Sequence, residues 1–140
     1  MVDALRESHR VLKSDGLLID LRPVAVQRRV GLTDDGAYRL RWRMPESFDD
    51  DRAADAAVAH VVRDGLFKPA GRERFQCYRL FDYLDDFIAW LIERDKIKTH
   101  GWLVRKLERE LTKAETGAKI VVRSPLVLSV LKKLAGPAAG

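Results

Sequence analysis

Arg28 and Arg29, followed by Arg39, Arg41 and Arg43, are the residues whose type and spacing come nearest to a binding function. Five guanidiniums on two short neighbouring segments could make a cationic face for a nucleic acid or another anionic ligand. Tyr38 and Trp42 fall on the opposite face if the segment alternates, which weakens a stacking platform that needs aromatics and cations together. The commoner use of such a face is a solvated surface partnered by acids such as Glu46 and Asp34. The other cations, including Lys96, Lys98, Arg105, Lys106, Lys132 and Lys133, form no stripe suited to a groove.

No catalytic or metal-ligating constellation emerges. His9, His60 and His100 are not at a ligand spacing, and no Cys-x-x-Cys occurs, so no metal is expected. His9 is expected to pack. Cys77, the single cysteine, reads as a small buried hydrophobe with no histidine base beside it. Ser8, Ser14, Ser47, Ser124 and Ser129 lack a nucleophile-elbow context. The acidic groups Asp49–Asp51 and Asp82, Asp85 and Asp86 are better read as helix starts than as acid/base pairs. Phe67, Phe75, Tyr78, Phe81, Tyr83, Phe87 and Trp90 are expected to build core rather than line a ligand pocket.

The elements that must position these residues follow from periodicity. The chain has 140 residues, enough for one domain with one real core, expected over 1–135 with a flexible tail at 136–140. The net charge of +5 favours anionic partners only weakly, because acids are also abundant. No apolar run spans a bilayer, the N-terminus has no apolar signal region, and a lone cysteine suits a reducing compartment, so a cytoplasmic location without membrane contact is expected.

A short helix is expected over 2–13, with Val2, Leu5, His9 and Leu12 near one face, ended at Ser14-Asp15-Gly16 by a glycine at positive φ. Leu17 to Leu21 read as a strand closed by Pro23. Residues 25–31 and 37–43 read as a hairpin around Thr33-Asp34-Asp35-Gly36. A helix is expected from about 50 to 63, with Ala54, Ala57, Val58, Val61 and Val62 inward and Gly65 as its stop. Residues 66–73 read as a loop and 75–81 as a strand. The next helix carries Leu84, Phe87, Ile88, Leu91 and Ile92, N-capped by Asp82. Leu103, Leu107 and Leu111 mark another helix, and Ala118 to Arg123 a strand. Ser124-Pro125 then reads as the start of a last helix that buries Val127, Val130, Leu131 and Leu134.

The run Arg6-Glu7-Ser8-His9-Arg10-Val11-Leu12-Lys13-Ser14-Asp15-Gly16-Leu17-Leu18-Ile19-Asp20-Leu21-Arg22-Pro23 resembles a segment of class I S-adenosylmethionine-dependent methyltransferases (type 11-like). In that family a helix ending Arg-Val-Leu-Lys-Pro-Gly-Gly leads into the fifth strand of the sheet. The likeness covers residues 4–23. A weaker one extends to Arg74–Asp82 as the sixth strand and Ala118–Arg123 as the seventh, with the hairpin as an insertion. The resemblance implies that the last two strands flank a helix-rich segment and that the final strand is antiparallel to the others. It also implies the C-terminal portion of such an enzyme without its cofactor-binding half. The family's glycine-rich loop has no counterpart here, so no cofactor and no cofactor-binding or catalytic residue is assigned.

The expected fold is therefore α+β, with a mixed, mainly antiparallel sheet of four or five strands and four or five helices. The expected function is a methyltransferase-related domain, not catalytic alone, acting as a self-association or protein-interaction module. An apolar strand at Leu17 to Leu21 without its family neighbours would expose an edge, so a homodimer is expected, or else a complex with a separate cofactor-binding polypeptide. The alternatives are a fragment of an active methyltransferase, and a nucleic-acid or anionic-ligand binder using the arginine hairpin.

Overall fold

A computed structural model describes residues 1–136. The tail expected at 136–140 lies, beyond Gly136, outside the described residues. In chain order the elements are α1 (Val2–Val11), β1 (Leu17–Pro23), β2 (Arg29–Asp34), β3 (Ala37–Arg43), α2 (Asp49–Arg63), β4 (Phe67–Phe81), α3 (Leu84–Glu93), α4 (Ile97–Lys113) and β5 (Ile120–Lys133). The fold is α+β, with five strands and four helices among the described residues. The registers of β1 with β5, β2 with β3 and β2 with β5 are all antiparallel, and β4 also pairs with β5.

The chain divides into two compact units. The first comprises Met1–Val26, Ser47–Phe75 and the chain from Pro125 on. Its core is Leu5 of α1, Ala57 and Val61 of α2, Phe67 of β4 and Leu131 of β5, with Leu18 of β1 packed against them. The small residues of α2 form the inward stripe that their spacing predicts. Three aspartates in its first turn meet the positive end of the helix dipole. His9 packs edge-on to Phe67, and its Nε2–H donates to the Leu134 carbonyl at 2.8 Å.

The second unit comprises Gln27–Glu46 and Gln76–Ser124. Val30, Met44, Phe81, Phe87, Trp90, Leu91, Leu103, Leu107, Ile120 and Val122 form its core. Leu103 and Leu107 supply the buried stripe of α4, as their spacing predicts. The β2–β3 hairpin turns at Asp35 and Gly36, both at positive φ, which is the turn that a right-twisted hairpin favours.

Several expectations are corrected. No helix begins at Ser124-Pro125, because β5 runs unbroken from Ile120 to Lys133 and pairs residue by residue with β1 from Leu126 to Lys132. The loop expected over 66–73 is the first half of β4, since Pro69 is tolerated in a strand wherever no ladder donor is needed. Cys77 is exposed rather than buried, as are Phe75, Tyr78 and Ile92. Tyr83, not Asp82, occupies the N-cap position of α3, and Asp82 pairs with Lys119 at 3.0 Å. At the end of α1 the positive φ falls on Asp15. Gly16 is needed for a different reason: a Cβ there would lie 2.8 Å from the Lys13 carbonyl.

Candidate functional site

The apolar strand of the first unit is built as an edge. Leu17, Ile19 and Leu21 are each more than half exposed, at 54%, 63% and 54%. They alternate with Leu18, Asp20 and Arg22, which face the helices. Leu18 joins the core. Arg22 bonds Asp20 at 2.7 Å and reaches Asp55 of α2 at 3.0 Å, so the inward charges are paired.

Two backbone bonds fix which groups the edge offers. The Val24 amide donates to the Pro125 carbonyl at 3.0 Å, and the Lys133 amide donates to the Gly16 carbonyl at 2.8 Å. Both continue the β1–β5 register, in which even-numbered residues of β1 exchange bonds with β5. Leu17, Ile19 and Leu21 therefore turn their amides and carbonyls outward. No described strand pairs with that side of β1. Pro23, which has no N–H, takes an outward-facing position. Opposite Ile19 and Leu21 on the same sheet face stand Val130 and Leu128, both half-buried, so the apolar surface extends onto β5.

The arginines singled out by sequence are dispersed to different partners. Arg39 pairs with Asp34, and Arg41 with Glu110 at 3.1 Å. Arg29 Nη2 donates to the Leu40 carbonyl at 3.0 Å. Arg28 lies 3.4 Å from Glu46, a carboxylate that also takes Lys96 at 3.0 Å. Arg43 has no ion-pair partner among the described residues, and stands directly opposite Arg29, which stands opposite Arg123 on its other side. Asp34 and Glu46 are thus the acids that the sequence proposes as partners, and Arg123 is a cation that it does not bring to the hairpin.

Beside the hairpin, Leu32, Thr33, Arg39, Trp42, Glu110 and Lys113 line a cleft of about 220 Å³. That is smaller than a typical small-molecule site. Of the histidines, His60 pairs with Asp64 at 3.2 Å, and His100 is buried with Nδ1 at 3.1 Å from the Lys96 carbonyl. Among the described residues no three His, Cys, Asp or Glu side chains are grouped so as to hold a metal ion. No helix among them is long and apolar enough to cross a membrane.

Comparison of the chain with protein-family models, with curated proteins and with solved structures finds no match.

Proposed function

We propose that this chain is a methyltransferase-related domain that acts by association, pairing the open edge of β1 with the same edge of a second copy. The observation that carries this is the outward row Leu17, Ile19 and Leu21, whose amides and carbonyls have no strand partner and whose side chains are exposed. An unpaired apolar edge is a template for another strand. Along β1, only Pro23 at its end and the mutually paired inward charges Asp20 and Arg22 blunt it.

The sequence also selects a register. Two antiparallel copies centred on Ile19 set Leu17 against the partner's Leu21 and form roughly six backbone hydrogen bonds. Centring on Asp20 would oppose like charges, which is unfavourable. Centring on Leu21 would set Ile19 against the partner's Pro23, which cannot donate.

The methyltransferase part of the reading rests on the residue likeness of 4–23, with topology in support. β1 follows a helix and a tight turn at Gly16, β5 runs antiparallel to β1, and β4 and β5 flank the helical segment α3–α4. No residue is assigned to S-adenosylmethionine.

Sedimentation equilibrium tests the association. The chain is expected to dimerise at micromolar concentration, and Ile19→Lys to stay monomeric with an unchanged circular dichroism spectrum. A wild-type chain that remains monomeric at millimolar concentration would sink the edge-pairing reading. Calorimetry with S-adenosylmethionine is expected to give no heat, and defined one-to-one binding would replace association with cofactor chemistry.

A further inference from the structure

Trp90 of α3 is buried, with three guanidiniums around its ring. The Cζ atoms of Arg94, Arg28 and Arg79 lie 4.6, 5.7 and 5.9 Å from the indole centroid. They come from three separate stretches of the second unit: the end of α3, the approach to β2, and β4. An aromatic face attracts cations, and the negative end of a helix dipole adds to this for Arg94, which caps the C-terminus of α3. Both attractions hold the guanidinium without using its N–H donors.

Those donors are left over. Glu46, nearly fully buried, is shared between Arg28 and Lys96. Arg28 Nη1, buried and without a hydrogen bond, faces the Glu46 carboxylate at 3.4 Å. Among the described residues, neither Arg79 nor Arg94 makes a side-chain hydrogen bond or ion pair. Cations outnumber carboxylates in the cluster. Partial burial, then the charges of Arg79 and Arg28, holds the Arg94 guanidinium below its usual pKa, against a weaker opposing pull from Glu93 and Glu46. Arg79 and Arg94 are exposed, so a ligand can reach them from solvent.

We propose that Arg79 and Arg94, backed by Arg28 over the buried Trp90, form a binding site for the terminal phosphoryl group of a small phosphomonoester. A guanidinium fork matches the oxygens of phosphate. Several uncompensated cations favour a dianion, the charge of a terminal phosphoryl group at neutral pH, over the single charge of a phosphodiester. The site is independent of the β1 edge, which lies in the other unit.

The test is calorimetric titration of the 140-residue chain with phenyl phosphate, with inorganic phosphate, and with a single-stranded oligonucleotide lacking terminal phosphates, all at one ionic strength. Phenyl phosphate and inorganic phosphate are expected to bind in competition with each other. The oligonucleotide is expected to bind at least tenfold more weakly per phosphate. Arg79→Gln and Arg94→Gln, both at exposed positions, are each expected to weaken binding about tenfold, the worth of one charge-assisted hydrogen bond. Arg94→Lys, which keeps the charge and loses the fork, should fall between wild type and Arg94→Gln. Arg39→Gln with Arg41→Gln should change nothing. Absence of binding at 10 mM phenyl phosphate on the order of the weakest specific affinities, preference for the oligonucleotide, or equal losses in the Arg39/Arg41 variant would each overturn the site.

Discussion

Arg29 of β2 stands directly opposite Arg43 of β3, and the row continues across β2 to Arg123 of β5. Like charges at directly opposed positions destabilise a sheet. None of the three has an ion-pair partner among the described residues. Arg29 is tied only to the Leu40 carbonyl, and its Nε is buried without a hydrogen bond.

Arg43→Glu should therefore stabilise the protein, by about 0.5–1 kcal/mol, by turning a repulsive cross-strand pair into an attractive one. The measurement is urea unfolding, where the midpoint should rise with the slope unchanged. The gain should shrink in high salt, because the pair is near the surface. A midpoint that falls would mean that Arg43 makes a favourable contact which the row does not suggest.

Two glycines of the same hairpin should respond very differently to alanine. A Cβ on Gly31 would sit 1.7 Å from the Arg39 carbonyl oxygen, at the point where the β2–β3 register shifts. The strands cannot keep their pairing there, and Gly31→Ala should cost about 3 kcal/mol or more, as backbone displacement in a packed sheet does. Gly36 has open space around it and only its φ of +77° to answer for. Gly36→Ala should cost about 1–2 kcal/mol, the strain of a left-handed residue. Equal losses in the two variants, read from denaturation midpoints, would mean that the strands separate freely at Gly31.

How far the sequence reveals this molecule depends on where each decisive contact lies. Phe87 and Leu91 announce α3 because the period that marks it is complete within one stretch of chain. Val127, Val130, Leu131 and Leu134 satisfy a helical period equally well, yet the chain is the strand β5 through Lys133. What decides is β1, more than a hundred residues earlier, whose register takes up Leu126 to Lys132. Pairing across such a distance overrides local propensity. Leu17 to Leu21 read in sequence only as a short apolar strand, and the exposed edge is expected from its missing family neighbours. That Asp20 and Arg22 turn inward while Leu17, Ile19 and Leu21 face out is set by the fold. Which of them offers its backbone outward is settled by the bonds from Val24 to Pro125 and from Lys133 to Gly16. The arginines around Trp90 have no common spacing in the chain, and only folding brings positions 28, 79 and 94 to one ring.

The core of the second unit can be probed at α3. Phe87 is fully buried against Phe81, with ring centroids 5.4 Å apart in an edge-to-face arrangement. Phe87→Ala removes that contact and leaves a cavity, at a cost of about 3–5 kcal/mol. Tyr83, four residues earlier, is 72% exposed and supplies no side-chain cap. Tyr83→Ala should shift the unfolding midpoint by less than about 0.5 kcal/mol equivalent. A loss of similar size at both positions would contradict the placement of the α3 face.

The pair Glu7 and Arg10, one turn apart on α1, gives a pH signature with a definite sign. Arg10 Nη2 and Nε donate to the two Glu7 oxygens at 2.6 and 2.9 Å. This bidentate bond holds the Glu7 carboxyl below the usual glutamate pKa and the Arg10 guanidinium above its own. A carboxylate with a depressed folded-state pKa contributes stability that is present above its unfolded pKa and lost as pH falls through its folded one. The guanidinium contributes the reverse, fully present below its unfolded pKa and lost only at strongly alkaline pH. In the acid range only Glu7 matters. Arg10→Met should therefore raise the Glu7 titration midpoint followed by carboxyl ¹³C shifts. The difference in thermal midpoint between variant and wild type should close as pH drops below the glutamate range. Both side chains are open to solvent, so the effect should also weaken with added salt. A Glu7 midpoint that does not move in Arg10→Met would mean that the two groups do not hold each other in solution.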